Sequence, residues 1–153
     1  MIAMAMVLTL VVAADEPTTD NPVVFTAATK AATVKPGGKV ELKVSAKILD
    51  GWHIYAVDKP VGYSQPTKLV FAAPKGWKSG QWKSSDPHKD ANAELETWVH
   101  DGEPTFTLEI EVPADAKLGK TELKATVTAM SCNDKECKPP QKHVLKTTVV
   151  VAR

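Results

Sequence analysis

Cys132 and Cys137 are the only cysteines of this 153-residue chain, and they stand within the run Ala129-Met130-Ser131-Cys132-Asn133-Asp134-Lys135-Glu136-Cys137-Lys138-Pro139-Pro140. Two thiols so close in sequence have three uses: a stabilising disulfide, half of a metal site, or a dithiol that exchanges with another protein. As a staple they would close a loop of about six residues, worth roughly 2 kcal/mol by chain entropy and near the low end for disulfides. A single bridge placed for stability gains more by closing a long loop, so this placement suits an accessible exchange pair better. Structural zinc wants four Cys or His ligands, and no second pair with suitable spacing exists; His143 is the nearest imidazole in sequence. Copper held by cysteine and Met130 sulfur is compatible with ligand softness, but neither a metal nor any other cofactor is expected. A thioredoxin-type centre is excluded, because it needs C-x-x-C at the start of a helix. Asp134 and Glu136 offset Lys135 and Lys138, so local charge gives no net push towards thiolate. The pair should be a modest nucleophile suited to a dedicated partner.

Around this pair the sequence offers few other reactive groups. His53 alternates with Trp52 and Ile54, and such a histidine is more often a half-exposed strand residue than a base or ligand. No nucleophile elbow, zinc-protease motif or phosphate-binding loop appears. The 19 basic and 18 acidic side chains are spread along the chain, giving a net charge of +1. Nucleic acid is therefore not an expected partner.

The elements that must hold the cysteines read as β-strands. Val40, Leu42, Val44, Ala46 and Ile48 alternate with polar residues over Lys39 to Leu49, the period of a strand with one face buried. The same period marks Thr105 to Val112 and Thr121 to Met130, the second of which delivers the chain to Cys132. Shorter strands are expected at Val23 to Ala28, Gly51 to Ala56, Lys68 to Ala73 and Leu95 to His100, with a last one from about His143 to Val151. Trp77 to Ala93 is irregular, too long for a tight turn and without helical periodicity, and loops of that length are often functional. Eight or nine short strands between turn signals, with no helix, point to an all-β, antiparallel sandwich, with an immunoglobulin-like topology as the leading form. The widely spaced inter-sheet cysteines of antibody-type domains are absent.

One domain of this length buries a core without needing a disulfide. Its expected span is 23–153. Met1 to Ala14 is an apolar run ending in Val12-Ala13-Ala14, which resembles a signal-peptide cleavage site, and 15–22 reads as a polar leader. The run is too short to cross a bilayer, so export and a mature chain without a membrane span are expected.

Cys132-Asn133-Asp134-Lys135-Glu136-Cys137-Lys138-Pro139-Pro140 after a strand, with Gly51-Trp52-His53-Ile54-Tyr55-Ala56 some eighty residues upstream, resembles the DsbD N-terminal domain family of thiol:disulfide interchange proteins. The likeness runs from about Val23 to Val151. It implies an immunoglobulin-like sandwich in the periplasm, in which Cys132 and Cys137 shuttle between dithiol and disulfide in the manner of a protein-disulfide reductase. It also implies electrons arriving from a membrane-embedded thiol reductase and leaving to thioredoxin-fold proteins, with a mobile loop covering the pair between encounters. Carried onto this sequence, Trp77 to Ala93 would be that loop and Trp82 its shielding aromatic. The membrane-embedded and C-terminal portions of DsbD have no counterpart in this chain, so it is expected to meet a separate electron donor or to serve as something other than a relay; a monomer is expected. Charge and spacing do not say which cysteine attacks first; the family pattern points to Cys137. The competing expectation is a non-catalytic immunoglobulin-like binding module with a small structural disulfide.

Overall fold

The computed structural model describes residues 15–153, so the signal-like run Met1 to Ala14 lies outside the described residues. The chain runs through β1 (Val23–Thr29), β2 (Thr33–Val34), β3 (Lys39–Ile48), β4 (His53–Tyr55), β5 (Lys68–Ala72), β6 (Lys78–Ser79) and β7 (Lys83–Ser84). It continues through β8 (His88–Lys89), β9 (Trp98–His100), β10 (Thr105–Glu111), β11 (Gly119–Ala129), β12 (Ser131–Cys132) and β13 (Gln141–Val151). No helix occurs among the described residues.

Three sheets result. One has the order β1-β3-β10, with β6 and β7 both on the free edge of β10. The second has the order β2-β13-β11-β5, antiparallel except where β2 joins β13. The third, smaller sheet has the order β12-β4-β9-β8 and carries Cys132.

Alternation along the long strands explains why they stack. In β3 the residues Val40, Leu42, Val44, Ala46 and Ile48 are all buried, as are Phe106, Leu108 and Ile110 of β10. Leu123, Ala125, Val127 and Ala129 of β11, with Val149 and Val151 of β13, join them in one core cluster. Each of these strands turns one row of side chains inward and leaves Lys, Glu and Thr outside, which makes the arrangement a sandwich.

The segment 77–93 is more ordered than its sequence implies. Ser79 pairs with Ile110 and Ser84 with Phe106, so the segment lies along the edge of β10. His88 and Lys89 then cross to pair with Val99 and Trp98 of β9. Strands of two residues are too short to produce a visible period, yet they satisfy an edge that would otherwise present unpaired backbone groups.

Candidate functional site

The two cysteines are brought face to face by a four-residue turn. Ser131 and Cys132 pair with Ile54 and His53 of β4, which fixes one arm. The Asn133 side-chain oxygen then accepts the backbone N–H groups of Lys135 at 2.9 Å and Glu136 at 2.7 Å, an Asx turn that reverses the chain. Two backbone bonds close the hairpin, from Asn133 N–H to the Glu136 carbonyl (2.9 Å) and from Lys138 N–H to the Ser131 carbonyl (2.8 Å). Cys132 and Cys137 thereby become bridge partners with Cα atoms 4.0 Å apart, and they are joined by a disulfide. Pro139 and Pro140 follow, and without N–H groups they cannot carry the ladder onward.

The two sulfur-bearing residues differ sharply in environment. Cys132 is 2% exposed, whereas Cys137 is exposed at the edge of the small sheet. Cys132 packs in a second apolar cluster with Tyr55 and Val99, covered by the half-buried Val61 and Met130. Register explains the grouping: Cys132 opposes His53, and Tyr55 opposes Val99, so these side chains share one face. Val61 comes from the loop after β4 and is held by its bridge to Thr97 and by the Trp98 N–H bond to the Pro60 carbonyl at 2.9 Å. Gly62 lets that loop pass, since its φ is +61° and a Cβ there would sit 2.6 Å from the Thr97 hydroxyl oxygen.

Beside the cluster lies a cleft of about 560 Å³, lined among others by Trp52, His53, His88, Asp90, Val99 and Asp101. His53 is half-buried there, and its Nε2 lies 3.2 Å from the Tyr55 hydroxyl. Burial holds His53 below the ordinary imidazole pKa, with His88 pushing the same way and Asp90, Asp101 and Asp134 opposing. His88 itself lies 3.1 Å from an Asp101 carboxylate oxygen. His100, on the opposite face of β9, is 2% exposed and packs edge-on against Phe106, and burial lowers its pKa too. His143 lies in the second sheet, its ring 4.8 Å from that of Phe25.

Of the residues singled out from the sequence, Cys132 and Cys137 are brought together as read. Trp82 is half-buried against the main core, and Val61 and Met130 pack against the cluster of Cys132. The last residues of the segment 77–93 line the cleft together with Val99, which packs with Cys132 in the small cluster; neither cysteine lines the cleft itself. Val61 and Val99 carried no sequence signal of their own, and Tyr55 stood only within the Gly51 to Ala56 stretch, because nearness to Cys132 depends on strand order. Among the described residues no three His, Cys, Asp or Glu side chains converge in a way that could hold a metal ion.

A family model described as "Thiol:disulfide interchange protein DsbD, N-terminal" matches residues 20–149. The chain belongs to the DsbD N-terminal domain family. The N-terminal periplasmic domain of ScsB from Proteus mirabilis aligns over 86% of this chain at 16% identity with a TM-score of 0.61. This chain spans about half of that structure, 48% of its length. The Neisseria meningitidis DsbD N-terminal domain, solved in its reduced form, aligns over 87% of this chain and 90% of its own at 16% identity, with a TM-score of 0.52. At such identities the likeness is one of fold, and it makes this DsbD N-terminal family member an all-β, immunoglobulin-like sandwich. No curated protein sequence matches the chain.

Proposed function

We propose that this DsbD N-terminal family domain exchanges disulfides with other proteins through Cys132 and Cys137. The observation that carries this reading is the asymmetry of the bridge: one cysteine exposed at a sheet edge, the other enclosed beneath Val61 and Met130. A partner thiolate can reach only the exposed sulfur. Its attack on Cys137 Sγ forms a mixed disulfide and expels Cys132 as the thiolate; a second partner thiolate then attacks the mixed disulfide and releases Cys137. The partner dithiol leaves oxidised and the domain leaves reduced. The reverse sequence reoxidises the domain, with Cys137 attacking first and Cys132 resolving.

The partners this implies are a membrane-embedded thiol reductase on one side and thioredoxin-fold proteins on the other, met in the periplasm by a monomer spanning 23–153. Export by Met1 to Ala14 agrees with that setting. For the cover over the pair, the segment 77–93 would be the moving part through residues 88–92, which line the cleft, while Trp77 and Trp82 pack against the main core.

Single cysteine variants test the exchange. Cys132→Ser should accumulate a mixed disulfide with a thioredoxin-fold partner, detectable by non-reducing mass spectrometry, while Cys137→Ser should trap little. Equal trapping by both, or full exchange activity in the double Ser variant, would leave the non-catalytic binding module as the better account.

A further inference from the structure

Breaking the disulfide creates a difficulty that the surroundings of Cys132 must resolve. The expelled thiolate appears on a residue 2% exposed, among Tyr55, Val99, Val61 and Met130. An anion in such a place is strongly disfavoured, so the sulfur must gain a proton as it leaves and lose one before it can attack. Bulk water does not reach it directly. The residue opposite Cys132 in the β12–β4 ladder is His53, whose side chain therefore stands on the same face, at the spacing of directly opposed strand neighbours. His53 also lines the solvent-filled cleft, and it is tied through the Tyr55 hydroxyl to the cluster that encloses Cys132. One imidazole thus stands directly across the ladder from the buried cysteine and also lines the cleft.

We infer that His53 is the proton carrier for Cys132, accepting the thiol proton when Cys132 attacks and returning one when Cys132 leaves. The inference rests on the exchange reading above and adds a residue to it. In the oxidising direction, Cys137 is first held as a mixed disulfide with the partner. The Cys132 thiol passes its proton to neutral His53; the thiolate attacks Cys137 Sγ, the internal disulfide forms, and the partner leaves as a thiolate. The His53 imidazolium then gives its proton to water in the cleft. In the reducing direction each transfer runs backwards, and no further oxidant or reductant is needed.

The charged groups facing His53 are Asp90 and His88 from the β8 side, Asp101 after β9, and Asp134 from the cysteine hairpin. Burial outweighs the three carboxylates and keeps His53 below the ordinary imidazole value. His53 is therefore mostly neutral near pH 7, the form a base requires.

The test uses the reduced domain with one equivalent of dithiobis(nitrobenzoate). Cys137 releases a first nitrothiobenzoate; Cys132 then expels a second as the internal disulfide closes, and the rate of that second, unimolecular phase is followed from pH 5 to 8.5. In the wild-type the rate should rise and level off, with its inflection below about 6.5, the unperturbed histidine value. In His53→Gln the plateau should vanish, the rate climbing with pH towards the thiol range above about 8, and at pH 7 it should be at least ~10-fold slower. A merely structural role for His53 would scale the rate and leave the inflection in place, and that result overturns the inference. If His53→Gln does not fold, the wild-type profile decides: a log-linear rise through pH 8 with no plateau overturns it equally. Failure of the exchange reading looks different, since the wild-type would then release one equivalent only.

Discussion

His100 shows what burial costs at the scale of one residue. Its ring is buried against Phe106, and its Nε2 has no hydrogen-bond partner among the described residues. The neutral ring tolerates this far better than a cation would. Burial, with His88, lowers its pKa, and Asp101 and Asp58 only partly oppose the shift. The sign of the pH effect follows. Below about 6.5 the unfolded chain binds a proton that the folded chain resists, so unfolding becomes easier as pH falls. His53 and His143 are shifted in the same direction by burial and add to the effect. The melting temperature should therefore drop between pH 7.5 and pH 5, and His100→Leu should narrow that drop; an unchanged difference would remove His100 from the account. None of this could be read from the sequence, where His100 merely ends a short strand. The cysteine pair was legible because its chemistry lies in residue type and spacing. The burial that distinguishes Cys132 from Cys137 was not, because β4 and β9 supply it from elsewhere in the chain.

At the scale of elements, legibility depended on length. Strands β3, β10 and β11 have enough residues for alternation to declare itself, and they and β13 lie within a few residues of their expected bounds. Strands β6, β7 and β8, two residues each, are defined by the edges they pair with and left no period in the sequence. The loop carrying Val61 is a similar case. Its course over Cys132 depends on Gly62, where a side chain would meet both a left-handed φ of +61° and the Thr97 hydroxyl. Gly62→Ala should cost about 1–3 kcal/mol in denaturant unfolding, the usual range for strain of this kind. Because Val61 is part of the cover over Cys132, the sulfur expelled when Cys137 is attacked, the same substitution should also expose that leaving thiolate to water and speed reduction of the disulfide by dithiothreitol. Loss of stability with an unchanged reduction rate would show that Val61 does not shield the leaving sulfur.

At the scale of the whole molecule, Cys132 and the main core occupy separate apolar clusters. Phe106, Leu42 and Leu123 lie in the large one, and Cys132 lies in the small one with Tyr55 and Val99. The hairpin that bears the disulfide is already closed by backbone bonds across Asn133–Glu136 and Ser131–Lys138 and by the Asn133 side chain. Removing the bridge therefore relaxes only a loop of about six residues in the unfolded chain, worth roughly 2 kcal/mol. The double variant Cys132→Ser, Cys137→Ser should stay folded, lose about 2 kcal/mol or less, and keep its denaturant m-value, because the surface buried on folding hardly changes. Phe106→Ala, by contrast, opens a cavity where the sheets meet and should cost about 3–5 kcal/mol. A double Ser variant that instead lost as much as Phe106→Ala, or unfolded outright, would make the bridge a fastener of the sandwich. A fold that depended on its disulfide could not open that disulfide in every exchange cycle, so the size of this loss bears directly on whether the pair is free to work.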